Sequence, residues 1–338
     1  MSAIKPRILV IRGGAIGDFI LTLPAIAALR RQFPQAHLEV LGYPHIAQLA
    51  LAGGLVDRVQ PIEAHGLAGF FARGGTLEPD LVDYFFEFDL VISYLYDPDE
   101  IFKTNVCRCA VGQFIAGPHR PGEAERLHAT QVFLKPLERL AIFDADPVPR
   151  LKVGQASRRP HERAGASETE FQDDVGFTDV GRRDARPTLA LHPGSGSEKK
   201  NWPETKWAGL IEQIMATTRW NLLLVGGEAE GERLRRLVAL LPPARCAIAQ
   251  GLPLAELAQR IQSCAAFVGH DSGITHLAAA VGLPCVVLWA DTLEEVWRPQ
   301  GERLVVLREI TGVQAISVEK VMNELGRLVG GGGKVASH

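Results

Sequence analysis

Short apolar runs alternate with helical patterns along the whole chain. The first half predicts five strands, at 7–11, 38–41, 59–62, 89–94 and 113–116. Apolar residues at helical spacing predict helices at 18–33, 45–51, 77–86 and 129–142. Pro24 and Pro136 are expected to interrupt or kink the first and last of these. This alternation predicts a parallel sheet with helices on both faces.

The second half repeats the pattern more regularly. It predicts strands at 188–192, 221–226, 246–249 and 304–307. It predicts helices at 204–216, 230–241, 254–263 and 318–328. Between them, residues 267–289 (FVGHDSGITHLAAAVGLPCVVLW) predict a strand, a tight loop, a short helix and a second strand.

Chain length and composition predict two domains. A chain of 338 residues is longer than one typical core allows. Residues 153–187 contain many charges, few large apolar residues and no usable period, which is typical of a linker or disordered insertion. We therefore expect an N-terminal domain over 1–152, a C-terminal domain over 188–329 and a disordered tail over 330–338.

The loop and helix within 267–289 are candidates for anion binding. Ser272 is the predicted N-cap, and Ile274 begins an apolar stripe facing the sheet. His276 is two positions further on, so it should point away from that sheet, toward a cleft or solvent. Asp271, Ser272 and Gly273 place backbone N–H groups at a helix N-terminus, which suits a phosphate. A satisfied helix cap beside a surface histidine is the alternative.

Residues 193–201 (PGSGSEKKN) follow a predicted strand and form the lysine loop, as it is called below. Ser195 and Gly196 provide a hydroxyl donor and close access to backbone amides. Lys199 and Lys200 add two ammonium groups, so the loop has the features of a diphosphate cradle. A solvated flexible loop is the alternative.

Two further loops follow strands at the same edge of the predicted sheet. Glu228 comes directly after the strand at 221–226, where a carboxylate can bind ribose hydroxyls. Leu252 lies between a strand and a helix, where an apolar side chain could contact a base. The Glu228 signal is weak alone, and the loop with Leu252 could equally be a plain connector.

The glycine-rich turn after the first strand is different. Gly13, Gly14 and Gly17 have the spacing G-G-x-x-G, which fits neither the dinucleotide fingerprint nor the P-loop. Asp18 follows at the start of a helix, where the helix dipole alone could explain a carboxylate. Because a carboxylate there would repel phosphate, this turn is a better place for a general base than for a nucleotide.

Composition and charge limit the classes of molecule that the protein is expected to bind. The net charge is −3, so nucleic acid is not an expected partner. Five scattered cysteines without a C-x-x-C pair argue against a disulfide framework and a zinc site, and no motif indicates another metal. The apolar run at 8–11 is too short for a signal-peptide core, and no run reaches the length of a membrane span. We expect a cytoplasmic protein that binds small molecules.

Four segments together resemble glycosyltransferase family 9, the ADP-heptose:lipopolysaccharide heptosyltransferases. They are ILVIRGGAIGDFILTLPAIAAL, LHPGSGSEKKNWPETKW, LLLVGGEAE and FVGHDSGITHLAAAVGLPCVVLW. The resemblance implies a GT-B architecture, an α/β fold of two Rossmann-like doubly wound domains facing a central cleft. It implies that the first domain binds the acceptor and the second binds the nucleotide sugar.

The resemblance also implies an activity, namely inverting transfer of a heptose-type sugar from an ADP-sugar to a lipopolysaccharide core or related glycan. Asp18 would be the base. The donor diphosphate would be held by Lys199 or Lys200, by Asp271 and His276, and by the amides of Ser272, Gly273, Ile274 and Thr275. Glu228 and Leu252 fall where ribose and adenine contacts are expected.

The implied partners are a nucleotide-sugar donor and a glycan or glycolipid acceptor, with peripheral contact with the cytoplasmic face of the inner membrane. No cofactor is expected, because the ADP-sugar is itself a substrate. Two alternatives stay open at this point. One is another GT-B enzyme, such as a sugar-nucleotide epimerase, and the other is a nucleotide-binding protein without turnover.

Overall fold

The computed structural model describes residues 5–154 and 186–330. Most of the predicted linker at 153–187, and all of the predicted tail except Gly330, therefore lie outside the described residues. The described chain forms two parallel β-sheets, of five and six strands. None of the described helices is both long and apolar enough to cross a membrane.

The first sheet is built from the N-terminal half. Its strands are β1 (Arg7–Arg12), β2 (His37–Gly42), β3 (Arg58–Pro61), β4 (Leu90–Ser93) and β5 (Gln113–Ala116). The helices are α1 (Ile16–Gln32), α2 (Pro44–Ala52), α3 (Pro79–Phe86), α4 (Ile101–Cys107) and α5 (Ala129–Leu134). All strands are parallel, in the order β3-β2-β1-β4-β5.

The second sheet is built from the C-terminal half. Its strands are β6 (Thr188–His192), β7 (Asn221–Gly226), β8 (Cys246–Gln250), β9 (Ala266–His270), β10 (Cys285–Leu288) and β11 (Leu304–Leu307). The helices are α6 (Glu204–Thr217), α7 (Gly231–Val238), α8 (Leu254–Gln262), α9 (Gly273–Ala280), α10 (Glu294–Trp297) and α11 (Val318–Gly330). The parallel strands run in the order β11-β10-β9-β6-β7-β8.

Both sheets are doubly wound, which confirms the predicted fold class. In each sheet the chain builds outward on one side of the first strand and then returns to build on the other side. The reversal lies between β1 and β4 in the first sheet, and between β6 and β9 in the second. Ligands of open α/β sheets bind outside the carboxyl ends of the strands at such reversals.

Some local details differ from the sequence prediction and one confirms it. Helix α1 begins at Ile16 and continues through Pro24, so this proline does not interrupt it. The neighbouring Leu23 and Ala25 are almost fully buried, and this burial compensates for the missing backbone hydrogen bond. Helices α4 and α10 were not predicted. The predicted break near Pro136 is confirmed, since α5 ends at Leu134 and a 3-10 helix (Lys135–Leu140) follows.

The two halves share one hydrophobic core. The largest buried cluster contains Ile20 and Ile26 of α1 together with Leu277 of α9 and Leu257 of α8, so it spans both sheets. Two smaller clusters cover the outer faces, one for each sheet. Helix α1 packs against α9, and α2 packs against α8. The halves therefore meet through apolar helix faces rather than through a solvated gap.

Two glycines permit the closest approach between the halves. A methyl group on Gly273, the first residue of α9, would lie 2.7 Å from Ile16 Cβ and 3.1 Å from the backbone nitrogen of Gly17. A methyl group on Gly17 would lie 3.3 Å from Cδ2 of His276. The N-terminal turns of α1 and α9 thus touch through bare backbone, which leaves no room for a side chain.

This contact predicts that Gly273→Ala destabilises the protein by about 1–3 kcal/mol, because the added methyl must push α1 away. The matched control is Gly326→Ala on the exposed side of α11, where a methyl group has no neighbour within 4 Å. That change should be neutral or stabilise by up to about 1 kcal/mol, since alanine favours helix. Urea unfolding measures both, and equal effects of the two changes would contradict the predicted close contact.

Candidate functional site

Two cavities lie at the carboxyl edges of the two sheets. The first cavity, of about 580 Å³, is bounded mainly by the second sheet and closed on one side by α1. Its lining residues are Ala15–Gly17, His192, Ser195–Glu198, Val225–Gly227, Ala229, Glu230, Gly251, Leu252, Leu254, Leu257 and Ser272–Ile274. The second cavity, of about 430 Å³, lies at the edge of the first sheet.

One end of the first cavity is suited to an anion. It is formed by the lysine loop after β6 and by the start of α9 after β9, the two strands between which the chain order reverses. Ser272 caps α9 as predicted, since its Oγ accepts the N–H of Thr275 at 3.4 Å. The first N–H groups of α9 and its positive dipole end face this part of the cavity.

The other end of the first cavity is more apolar. Leu252 lines it as predicted, together with Leu254 and Val225. Glu228 does not line the cavity and is exposed, whereas Glu230 does line it. The Glu230 carboxylate accepts the N–H of Gly227 at 2.8 Å, which turns this side chain inward. The structure therefore places Glu230, not Glu228, where a ribose could be reached.

The two lysines of the lysine loop, both predicted as candidates for a diphosphate, have different surroundings. Lys199 is exposed. Lys200 is half-buried, and its Nζ lies 2.6 Å from Oδ2 of Asp271. The same carboxylate oxygen accepts a hydrogen bond from the hydroxyl of Thr292. Asp271 therefore holds the Lys200 ammonium group next to the residue that caps α9, although none of Lys199, Lys200 and Asp271 lines the first cavity itself.

His276 is buried, contrary to the expectation that it faces a cleft or solvent. Only 6% of it is exposed, because α1 covers the face of α9 that points away from the second sheet. Burial lowers its pKa to about 4, so the ring is neutral near pH 7. Thr275 is also buried, and its hydroxyl donates to the carbonyl of His270. Neither side chain lines the first cavity.

Two more buried histidines end the strands beside this anion site. His192 ends β6 and lines the first cavity, and burial lowers its pKa to about 3. His270 ends β9 and lies beneath the lysine loop, and burial lowers its pKa to about 4. Positive charge at this site therefore comes from Lys200 and the α9 terminus, while the histidines stay neutral.

The second cavity is lined by loops that follow all five strands of the first sheet. Gly13, Gly14 and Asp18 come from the turn after β1, as predicted. The aromatic side chains are Tyr43, Phe71, Tyr94 and Tyr96, and the basic ones are Arg12, His119 and Arg120. The carboxylates of Asp18 and Glu63 line the same cleft, and aromatic rings beside groups of both charges suit a sugar.

Asp18 lies in the first turn of α1, and its two carboxylate oxygens have different environments. Oδ2 accepts the N–H of Ala15 at 3.1 Å, so it caps the helix. Oδ1 lies 3.9 Å from Nη2 of Arg12, and a quarter of the side chain is exposed to the second cavity. The capping role and a chemical role are therefore compatible, because one oxygen serves each.

The Arg12 side chain holds the turn that contains Asp18 in place. Its guanidinium donates to the carbonyls of Asp18 and His119, at 3.2 and 2.8 Å. It also stacks over Phe133, 4.5 Å from the ring centroid. Burial lowers the pKa of Arg12, and Asp18 opposes that shift. A buried guanidinium with these partners fixes the position of the Asp18 backbone.

The glycine-rich turn separates the two cavities. Ala15, Ile16 and Gly17 line the first cavity, while Gly13, Gly14 and Asp18 line the second. A ligand in one cavity therefore lies one turn of backbone away from a ligand in the other. The two cavities are therefore close neighbours with one backbone turn between them.

Sequence reasoning missed several lining residues. Glu230 and Ser197 lie in loops already singled out, but spacing alone cannot tell which side chain of a loop points inward. His192 carried a usable signal, since it ends a strand at the edge where ligands bind. Tyr94 and Arg12 occupy the same kind of position in the first sheet and could have been selected by the same rule.

No group of three or more His, Cys, Asp or Glu side chains within residues 5–154 and 186–330 is arranged to hold a metal ion.

Comparison with known proteins identifies relatives of this chain. The family model for glycosyltransferase family 9 (heptosyltransferase) matches residues 137–325, more than half of the chain. Lipopolysaccharide heptosyltransferase 1 of Pseudomonas aeruginosa is 28% identical over 85% of this chain and 79% of its own length.

Solved structures show the same fold. E. coli ADP-heptose lps heptosyltransferase II superposes with a TM-score of 0.71 at 20% identity, over 96% of this chain and 98% of its own. A glycosyltransferase family 9 protein from Veillonella parvula superposes with a TM-score of 0.74 at 18% identity, over 97% and 98%. The predicted GT-B architecture is confirmed.

The buried histidines predict a loss of stability in mild acid. His192, His270 and His276 bind protons near pH 6.5 when unfolded, but only near pH 3–4 when folded. Their contribution is therefore complete above about pH 6.5 and decreases as pH falls toward 4. Each of these histidines should lower the free energy of unfolding by about 2 kcal/mol when the pH falls from 7 to 5.

Urea unfolding at the two pH values measures this effect. His276→Gln should weaken the pH dependence, because its side chain does not titrate. His65→Gln, at an exposed histidine, is the matched control and should retain the wild-type dependence. A wild-type protein equally stable at pH 5 and pH 7 would contradict the prediction.

Proposed function

The chain belongs to glycosyltransferase family 9 (heptosyltransferase), and on that premise we propose that it transfers heptose from ADP-heptose to a sugar of the lipopolysaccharide core. Transfer proceeds with inversion at the anomeric carbon. The names of the relatives support this substrate pair, since they are lipopolysaccharide heptosyltransferases. They do not favour an epimerase or a binding protein without turnover.

The observation that carries the proposal is the turn shared by the two cavities. A sugar transferase must hold donor and acceptor side by side, with a base at the acceptor hydroxyl. Here the donor takes the first cavity and the acceptor takes the second, and Asp18 lies on the acceptor side of the turn between them.

The donor orientation follows from the lining of the first cavity. Its diphosphate lies against Ser195, Gly196 and the start of α9, with Lys200 above it. Its adenosine extends toward Leu252, with Glu230 near the ribose. The heptose then points toward Gly17 and the second cavity.

In the proposed reaction, Oδ1 of Asp18 accepts the proton of the acceptor hydroxyl. The hydroxyl oxygen forms a bond to the anomeric carbon while the bond from that carbon to the diphosphate breaks. The electron pair of the broken bond stays on ADP, where Lys200 and the N–H groups of α9 stabilise the added charge. The proposed reaction requires no cofactor, because ADP-heptose supplies both sugar and leaving group.

The mouth of the second cavity supports a peripheral contact with the cytoplasmic face of the inner membrane. Tyr96 is 70% exposed and Phe71 is 47% exposed, and both also line the cavity. Arg120 lines the same cavity. Exposed aromatic rings beside a basic group suit a membrane interface, which would present a glycolipid acceptor.

A panel of ADP, UDP, GDP and CDP tests the donor. We expect ADP alone to stabilise the protein strongly, by about 2.7 kcal/mol at 100 times its dissociation constant. Lys200→Met should weaken ADP binding at least about tenfold, because it removes the ammonium group and leaves the Asp271 carboxylate facing the diphosphate. Calorimetry measures both.

Lys199→Met is the matched control for Lys200→Met. It removes the same charge one residue away, where the side chain is exposed, and should change ADP affinity less than about threefold. Selective stabilisation by UDP would refute the ADP-sugar assignment. Equal losses in the two lysine variants would refute the special placement of Lys200.

Asp18→Asn tests the base. The amide oxygen can still accept the Ala15 N–H, so the helix cap and the fold should persist. Turnover of ADP-heptose with a genuine acceptor should fall at least about 100-fold, while ADP affinity stays unchanged. The control is Asp80→Asn, which removes an exposed carboxylate from the first turn of α3 and should leave turnover intact. A D18N enzyme within a few-fold of wild type would leave Asp18 as a helix cap only.

A further inference from the structure

His270 touches the lysine loop at both of its ends. Its Nδ1 lies 3.1 Å from the carbonyl oxygen of Gly194, near the start of the loop. Its Nε2 lies 2.7 Å from the backbone nitrogen of Trp202, just beyond the end of the loop. One side chain at the end of β9 therefore bridges two points of the chain that are eight residues apart.

These two contacts require one form of the imidazole ring. The N–H of Trp202 can only donate, so Nε2 must be unprotonated and accept. The carbonyl of Gly194 can only accept, so Nδ1 must carry the proton and donate. A neutral ring in this tautomer satisfies both contacts, and burial lowers the pKa of His270 to about 4, which keeps the ring neutral.

The surroundings keep the ring in this orientation. His270 is fully buried, and the edge of its ring meets Trp207 at 5.4 Å and 82°. The charged groups nearby are Asp271, Glu198 and Arg233. His270 does not line the first cavity.

The segment between the two contacts has further restraints, of which the one at its C-terminal part is the Lys200–Asp271 ion pair already described. It contains one 3-10 turn, Glu198–Lys200, and a hydrogen bond from the hydroxyl of Ser195 to the carbonyl of Ser197. Arg233 holds its outer side through the carbonyl of Pro193 and the exposed carboxylate of Glu198. The ion pair of the largely exposed Glu198 contributes little. His270 differs from the other restraints because its buried contacts join both ends of the segment.

We propose that His270 is a positioning residue that holds the lysine loop in the shape that receives the donor diphosphate. The proposal rests on the function proposed above. It follows from the two bridging contacts, because they fix both ends of the segment that presents Ser195, Gly196 and Lys200. A loop released from them would spend part of its time in other shapes, and the apparent affinity would fall by the same fraction.

Three variants at this position separate the two contacts. His270→Phe removes both, His270→Gln can keep an acceptor for Trp202, and His270→Asn can keep a donor for Gly194. We expect ADP affinity to fall about tenfold or more in H270F and by less in H270Q and H270N. Adenosine affinity should change less than twofold, because adenosine binds the end of the cavity away from the lysine loop.

Hydrogen exchange of the backbone amides of Ser195–Lys200, measured without ligand, reports the loop directly. It should be faster in H270F than in wild type. The matched control is Ile214→Ala, a fully buried change in the C-terminal part of α6, which packs toward the opposite edge of the sheet. It should lower overall stability without altering exchange in the loop or ADP affinity.

The proposal is overturned if loop exchange is unchanged in H270F, or if exchange rises while ADP affinity does not fall. Equal losses of ADP and adenosine affinity also overturn it, because they would reflect general damage to the cavity. If H270F does not fold, the same criteria apply to H270Q and H270N. If wild type binds no ADP, the donor assignment is wrong, and loop exchange still decides whether His270 holds the loop.

Discussion

The parallel pairing of β6 with β9 is the constraint on which the first cavity depends. The register joins Leu189 to Ala266 and His192 to Gly269, so both strands end at the same height. Because the chain order reverses between these strands, no helix connection crosses the space above their ends. Lys200 therefore meets Asp271 although 71 residues separate them in the sequence.

Much of the fold could be predicted from the sequence, whereas the directions of loop side chains could not. The predicted bounds of β5, β6, β7 and β11 agree with the structure at both ends, because each is an isolated apolar run. The prediction that His276 points away from its own sheet is correct. The helix that covers its side chain comes from the other half of the chain, which local spacing could not show. Glu230 points inward because its carboxylate binds the Gly227 N–H, a local contact that spacing does not reveal.

The site combines buried neutral rings with a few exposed charges. His192, His270 and His276 all lie within one layer near the ends of β6 and β9, and each is kept neutral by burial. A neutral imidazole can accept and donate hydrogen bonds at once, so His270 joins two backbone groups without adding charge. Positive charge near the ends of these strands is thereby left to side chains such as Lys200 and to the start of α9.

The interface between the halves contains two kinds of contact, the close glycine contact between α1 and α9 and polar contacts elsewhere. Around Gly17 and Gly273 the interface is apolar and buried, so separating it would expose core. Elsewhere in the interface the indole of the buried Trp297 donates to Glu123, and Arg126 pairs with Glu295 at the surface, where water can replace the ion pair. The exposed ion pair can therefore be exchanged for water at little cost, whereas any separation of α1 from α9 would expose apolar core, so the two helix starts are the part of the interface with the strongest reason to stay together.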